Sequence, residues 1–122
     1  MTWTIDPRKF VGQTVREHRR LCQRVALDID QRLVLATPVD TGRARSNWLA
    51  SLGTPRTDEV GTRDAQSAIS EAAGVIDQAA DFPVIYLSNN LPYIQRLNDG
   101  SSKQAPAAFV QTAIDQALSP LR

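Results

Sequence analysis

The sequence predicts an α+β fold, in which a long N-terminal helix and two or three further helices pack on a small two- to three-stranded sheet. Two observations support this class. Apolar or small residues recur at helical spacing from Val11 to Leu33 without a break. Two short apolar segments, 47–52 and 82–88, are bounded by turn residues and are typical of strands. With 122 residues, one core in a single domain, residues 1–122, is the expected organisation.

The N-terminal helix is predicted over about residues 6–36. Asp6 is a preferred N-cap residue and Pro7 suits the first helical position. The apolar stripe is Val11, Val15, His18, Cys22, Val25, Ile29 and Leu33. Pro38 disfavours helical geometry at the residue before it, which ends the helix. About 30 residues span roughly 45 Å at ~1.5 Å each, whereas a globule of this size is ~35 Å across. One end of the helix is therefore expected to project.

The middle of the chain is predicted as turn, strand, loop and helix. Residues 39–42 form a turn in which Gly42 can take a positive φ. A short strand follows over 47–52, then a polar loop over 54–63. The second helix covers about 64–80, and its alanine-rich stripe favours close packing against a neighbour.

The last third is predicted to begin with the best strand of the chain, 82–88, which is β-branched and aromatic. Pro92 opens a short helix to about Leu97, and Pro106 opens a last helix that Pro120 closes. The pattern leaves two sheet arrangements open. Either the strands pair in parallel across helix 64–80, or they pair antiparallel with a third strand that the pattern misses.

Composition excludes several classes of protein. Hydrophobic residues make up 42% and charged residues 22% of the chain, which excludes wholesale disorder and collagen-like structure. The single cysteine, Cys22, excludes a disulfide scaffold. No segment approaches the ~20 apolar residues of a membrane span. The start of the chain lacks the basic and apolar regions of a secretory signal, so we expect a protein that is made and kept in the cytoplasm or leaves by cell lysis.

Residues that could carry chemistry are few. His18 and Cys22 lie one turn apart on the apolar stripe, a pattern more typical of packing than of catalysis. Asp28 and Asp30 point to different faces of a helix and cannot share a proton or a metal ion. Phosphate-binding glycine loops and nucleophile elbows are missing from the sequence, and Ser101, Ser102 and Lys103 read as a glycine turn. The sequence therefore predicts no enzyme, no cofactor, no metal and no small-molecule substrate.

Charge is more informative than any of these residues. The net charge is +1, but residues 1–63 carry 11 basic and 7 acidic side chains, and residues 64–122 carry 3 and 6. Of the 14 basic residues, 12 are arginine, which pairs with carboxylate or phosphate through a planar fork. Such a division suits head-to-tail contact between copies as well as it suits nucleic acid.

Three arginines of the N-terminal helix, Arg16, Arg20 and Arg24, form a ridge because they are spaced four residues apart, and Arg19 lies beside it. Like charges at this spacing repel by a few tenths of a kcal/mol per pair. An acidic partner or phosphate would offset that repulsion. The alternative is a solvated face that Glu17 and Asp28 partly neutralise.

Two segments of the sequence resemble a known family. Residues 37–48 read TPVDTGRARSNW, and residues 89–110 read NNLPYIQRLNDGSSKQAPAAFV. A long helix that ends in Pro-x-Asp-Thr-Gly and a tryptophan, followed by Asn-x-x-Pro-Tyr and Gly-Ser-Ser-x-Gln-Ala-Pro, is similar to the neck or tail-completion proteins of long-tailed bacteriophages, the minor tail protein Z-like group. The resemblance covers about residues 20–118, and residues 54–80 match nothing specific.

The resemblance implies a structural virion protein that forms a ring, with six copies expected, at the head–tail junction and completes the tail for joining. It implies as partners other copies of the chain, connector or stopper proteins, and tail terminator or tube proteins; packaged genomic DNA is a further candidate. The protein would be made in the host cytoplasm and reside in the virion. The motif residues expected to shape the fold are Pro38, Asp40, Thr41, Gly42, Trp48, Pro92, Tyr93, Gly100 and Pro106. The residues expected at subunit or partner interfaces are Arg16, Arg19, Arg20, Arg24, Arg43, Arg45, Arg56, Arg63 and Lys103.

Two other functions remain open at this point. Within phage biology, the chain could be a tail terminator or a head-proximal connector component. From another class, it could be a small DNA-binding regulator that uses the arginine-rich helix, although the net charge of +1 and the missing aromatic platform speak against it.

Overall fold

The computed structural model describes residues 7–38, 42–100 and 107–121. Asp6, Asp40, Thr41, Lys103 and Pro106 lie outside the described residues. The elements in chain order are α1 (Pro7–Ala36), α2 (Arg43–Ser46), β1 (Leu49–Leu52), α3 (Ala65–Ile76), β2 (Ile85–Ser88), α4 (Ile94–Asn98), α5 (Phe109–Leu118) and a 3₁₀ turn (Ser119–Leu121). The predicted α+β class is confirmed.

The sheet is one antiparallel pair. β1 and β2 pair in the register Leu49↔Ser88 to Leu52↔Ile85. This settles the open alternative in favour of antiparallel pairing, and the described residues contain no third strand. Both strands thus keep one edge that no other described strand covers.

The core lies where α1 packs against α3 and α5. One buried cluster joins α1, α3, α5 and Trp48, the residue before β1: Leu33, Val34, Trp48, Ala68, Phe109 and Ala113. A second joins α1 to α3 and β1: Ala26, Ala50, Ala72 and Ile76. Alanines on α3 let that helix approach α1 closely, as its sequence predicts.

The buried face of α1 differs from the predicted stripe. Its buried residues are Ala26, Asp30, Leu33 and Val34, and the first of them lies in the sixth turn. Of the predicted stripe, Val11 and His18 are exposed. The predicted stripe is confirmed at Leu33, which is buried, and at Ile29, which packs against the core, and it is wrong at Val11 and His18. Around Ala26 the helix instead packs against Ala72 and Ile76 of α3. The residues of α1 before Ala26 are exposed or half-buried wherever their burial is described.

Several element boundaries also differ. The short helix α2 was not predicted, and β1 begins at Leu49 rather than at residue 47. α3 begins after Asp64, whose carboxylate accepts from Ser67 N at 2.6 Å and caps the helix, but it ends at Ile76. β2 begins at Ile85, since Phe82 has a φ of 52° that breaks the extended backbone. α5 begins at Phe109, three residues after Pro106.

Candidate assembly surface

The first resembling segment folds into a tight corner after α1. Gly42 has a φ of 70°, as predicted, and precedes α2. The Ser46 hydroxyl donates to Gly42 O at 2.7 Å and accepts from Arg63 N at 2.8 Å. A Cβ at Gly42 would lie 3.2 Å from Thr62 Cγ2. The corner therefore needs glycine for its backbone and leaves it little room for a side chain.

Buried and half-buried asparagines fasten the polar loop 54–63 to both segments. The fully buried Asn47 donates to Val60 O at 2.9 Å and accepts from Val60 N at 2.8 Å. From the second segment, Asn90 donates to Arg56 O at 2.9 Å. Asn89 donates to Ala44 O at 3.0 Å, which joins the two segments directly. Sequence reasoning missed these asparagines, because only the fold places a loop carbonyl opposite each amide.

Arg45 caps the end of α1. Its Nε donates to Val34 O at 2.9 Å and its Nη2 to Leu35 O at 3.2 Å. These carbonyls belong to the last turn of α1, where the helix offers no N–H of its own. A cation also suits the negative end of the helix dipole. Arg45 therefore serves the fold of its own chain.

Arg56 and Arg63 share one carboxylate. Both guanidinium groups donate to Glu71 on α3, and Arg56 also pairs with Asp58. Arg63 donates in addition to Ser46 O at 3.0 Å. The hydrogen bond from Arg56 holds the pKa of Asp58 below its usual value. The two arginines hold the loop against α3.

Two further arginines make ion pairs within the chain. Arg19 donates to Asp81 at 2.8 Å, and Arg43 donates to Glu59 at 2.7 Å. Both pairs are partly exposed, so each contributes at most about 1 kcal/mol. Five of the arginines expected at an interface thus have partners in their own chain.

The ridge formed by Arg16, Arg20 and Arg24 is different. All three side chains are exposed on the part of α1 before Ala26. None of them forms an ion pair with any carboxylate of the described residues. The two acidic residues expected to neutralise the ridge are engaged elsewhere, since Glu17 accepts from Gln13 and Asp28 pairs with Arg32. The ridge is therefore an exposed row of three arginines that no carboxylate of the described residues neutralises.

The second resembling segment links α4 to α5. Asn98 Oδ1 accepts from Val110 N at 3.0 Å, and Asn98 O accepts from Ala108 N at 2.6 Å. Gly100 has a φ of 97°, which agrees with its expected role in setting the backbone before the last helix. Tyr93 is half-buried at the start of α4, and Pro92 before it is exposed.

The described residues offer little for catalysis or metal binding. Cys22 Sγ lies 3.7 Å from His18 Nε2, and His18 stacks obliquely on Phe82 at 5.6 Å between ring centroids. Among these residues, no group of three or more His, Cys, Asp or Glu side chains is close enough to hold a metal ion. No helix within the described ranges is long and apolar enough to cross a membrane.

Asp30 is the unusual residue that the sequence did not reveal. It lies fully buried on α1, and neither carboxylate oxygen has a hydrogen-bond partner among the described residues. Burial raises its pKa to about 7, against a smaller opposing effect of the Arg63 charge. Asp30 lies four residues from both Ala26 and Val34, so it shares their buried face of α1. The sequence did not identify that face, and it therefore did not predict that Asp30 is buried.

Comparison with known proteins adds no relative: no protein-family model, no curated protein and no solved structure matches this chain.

Proposed function

We propose that this chain is a structural virion protein of the head–tail junction of a long-tailed bacteriophage, where it forms a ring that completes the tail. The observation that carries the proposal is the occurrence of two resembling segments, 37–48 and 89–110, in this order along the chain. The contacts of these segments support it, because their residues shape the fold. Gly42 forms the corner after α1, Asn47 fastens loop 54–63, and Asn98 links α4 to α5.

The arginine ridge supports an assembly role. A chain that pairs Arg19, Arg43, Arg56 and Arg63 internally leaves three arginines of one helix face without a carboxylate in its described part. Repulsion along the ridge is offset when a partner supplies negative charge. An acidic surface of a neighbouring subunit or connector protein is the partner that a ring-forming protein would provide.

We expect six copies of the chain at the junction. A ring is built from heterologous contacts, in which one surface of each copy meets a different surface of the next. The excess of basic residues in 1–63 and of acidic residues in 64–122 fits such contacts. Imaging of virions, with the copy number taken from the symmetry of the ring, checks this expectation. A single copy at the junction would contradict it.

Reversing the ridge is the functional test. The double variant Arg20→Glu with Arg24→Glu should leave the chain folded, since both side chains are exposed, and should block head–tail joining. Removing one partner of a desolvated charge pair costs about 2–5 kcal/mol, whereas a solvated pair contributes about 0–1 kcal/mol. Complementation of a phage that lacks the gene should then give separate heads and tails in electron micrographs.

Arg96 provides the matched control. It is exposed on α4 and lies off the ridge, so Arg96→Glu changes the net charge as much as Arg20→Glu does. Loss of infectious particles with Arg20→Glu but not with Arg96→Glu supports the proposal. Normal yields from the double ridge variant would show that the ridge is a solvated face and would direct the search to loop 54–63 and to residues 98–105. Salt-dependent DNA binding by the isolated protein would favour the DNA-binding alternative instead.

A further inference from the structure

Much of the apolar stripe of α1 stays open to solvent. Over residues 11–29 the stripe consists of Val11, Val15, His18, Cys22, Val25 and Ile29. Ile29 packs against the core, whereas Val11 is 57% exposed and His18 is also exposed. The three residues between these ends are half-buried. Apolar area left in water is unfavourable in proportion to its size, so this face of the helix gains free energy when a partner covers it.

An apolar slot lies over the second half of the stripe. Its floor is the face of α1 from His18 to Ile29, and Pro83, Ile85 and Leu121 line it from outside the helix. Its volume is about 330 Å³. An apolar depression that continues as an exposed apolar helix face marks a contact surface. The slot and the open half of the stripe therefore belong to one surface.

The spacing of the stripe identifies the kind of occupant. Its steps are four, three, four, three and four residues, the alternation by which two helices pack side chains into each other's gaps in a coiled coil. The next positions of the repeat, Arg8 and Arg32, are charged, so the apolar part is limited to residues 11–29, roughly 27 Å of helix. The expected occupant is a second helix with the same spacing.

The stripe is complementary to itself, because its series of steps reads the same in both directions. In an antiparallel pair of α1 helices, three kinds of layer form between the copies: Val11 with Ile29, Val15 with Val25, and His18 with Cys22. Each layer brings the open half of one copy onto the slot of the other. A parallel pair would set slot against slot and leave both unfilled. The geometry thus favours a second copy in antiparallel orientation.

Charge beside the stripe favours the same orientation. Leu21 lies next to the stripe, with Glu17 four residues before it and Arg24 three residues after it on the same side of the helix. All three side chains are exposed. When the two helices run antiparallel, Glu17 of each copy comes opposite Arg24 of the other, on either side of a contact between the two leucines. The surface of one copy is therefore complementary to that of the other in charge as well as in shape.

We propose that two copies of the chain pair through antiparallel α1 helices, with Val11 and Val15 of each copy seated in the slot of the other. The contact is isologous, so the pair closes on itself. Arg16 and Arg20 lie on the far side of α1 and stay exposed in the pair. The inference goes beyond the proposed function, since it concerns pairs of copies in solution, and a chain that stays monomeric would leave the expectation for head–tail joining unchanged.

Disulfide formation tests the register, because Cys22 is the single cysteine of the chain. A chain with His18→Cys and Cys22→Ser is mixed with isotopically heavy native chain and oxidised with glutathione disulfide. The thiols at positions 18 and 22 then lie opposite each other, and a disulfide requires their Cα atoms within about 7 Å. We expect a mixed disulfide between copies, identified by mass spectrometry.

Arg20→Cys with Cys22→Ser is the matched control, because residue 20 is exposed on the opposite side of the same helix. The His18→Cys chain should give severalfold more mixed disulfide than the Arg20→Cys chain. The native chain oxidised alone should form little disulfide, since the antiparallel register sets the two Cys22 residues roughly 6 Å apart along the helix axis. Equal yields from the two variant chains, or a predominant disulfide between two Cys22 residues, would overturn the proposal.

A substitution outside the chain's own core gives a second measurement. Val11→Lys places a charge opposite Ile29 of the other copy, whereas residue 11 is exposed in its own chain. We expect the dissociation constant of the pair, from sedimentation equilibrium under reducing conditions, to rise at least about tenfold. The thermal melt of the dilute protein should not change.

Leu35→Lys is the control for this measurement, because Leu35 is a 61% exposed apolar residue of α1 outside the stripe. It should leave the dissociation constant unchanged. A native chain that stays monomeric at the highest concentration tested, or equal weakening by Val11→Lys and Leu35→Lys, would contradict pairing through the stripe.

Discussion

Trp48→Ala is expected to lower the free energy of unfolding by about 3–5 kcal/mol. The side chain is 6% exposed and packs with Leu33, Val34 and Phe109 where α1 and α5 meet. Its indole Nε1 donates to Thr37 Oγ1 at 2.7 Å, and Thr37 Oγ1 donates in turn to Leu33 O at 2.5 Å. The substitution therefore opens a cavity and also removes the donor that holds the buried Thr37 hydroxyl at the end of α1.

Chemical denaturation followed by circular dichroism measures this loss, and Trp48→Phe separates its two components. Phenylalanine keeps much of the ring volume but has no N–H, so it should cost less than alanine by the difference in cavity size. Tyr93→Ala should cost less than Trp48→Ala, because Tyr93 is only half-buried. An unchanged midpoint for Trp48→Ala would show that the indole is a surface contact.

Trp48 also illustrates which parts of the fold a sequence can predict. The extent of α1 follows from local chemistry, because Pro7 and Pro38 limit a continuous helical pattern, and the structure places the helix at Pro7–Ala36. The two strands likewise follow from short apolar segments between turn residues. In α1 and in the two strands the local sequence preference for helix or strand is strong, and the tertiary contacts agree with it.

The packed face of α1 could not be predicted in the same way. The sequence favours the valine and isoleucine stripe, but the helix buries Ala26 against Ala72 and Ile76 of α3, and it also buries Asp30. The face of α1 that packs is therefore decided by α3, a helix nearly 40 residues further along the chain. Periodicity identifies an amphipathic helix, whereas its rotation depends on the partner.

The arginines of the candidate assembly surface also differ in how far the sequence predicts their role. Spacing alone identified the ridge of Arg16, Arg20 and Arg24, because residues four apart on a helix always share a side. The roles of Arg45 and Arg63 needed the fold. Arg45 donates to carbonyls of α1 across the corner at Gly42. Arg63 pairs with Glu71 and donates to Ser46 O across a loop. Residue type and charge do not separate these two arginines from those of the ridge.

Asp30→Asn is expected to stabilise the protein at pH 8 and to leave its stability nearly unchanged at pH 4. Asp30 is fully buried, and both carboxylate oxygens lack a hydrogen-bond partner among the described residues. Burial raises the pKa of Asp30 from 3.8 to about 7, and the charge of Arg63 opposes this only in part. Arg63 itself is directed to Glu71 and Ser46 O.

The sign follows from proton uptake on folding. Between pH 4 and pH 7 the unfolded chain has lost the Asp30 proton while the folded chain retains it, so stability falls as the pH rises through this window. Above pH 7 both states are ionised and the penalty is constant. A pKa raised from 3.8 to about 7 corresponds to a loss of folding free energy of roughly 4 kcal/mol above pH 7. Asparagine is neutral at every pH and close in shape, so it avoids this penalty while keeping a polar group in the same place.

Urea denaturation of both proteins at pH 4, 5, 6, 7 and 8 measures the effect as the difference in unfolding free energy between variant and parent. That difference should grow with pH up to about pH 7 and then level off. Taking the difference cancels the titration of all groups that the substitution leaves unchanged, including the exposed ion pairs around Arg19 and Arg56. A difference that does not vary with pH would mean that the Asp30 carboxylate is solvated or paired in the folded protein.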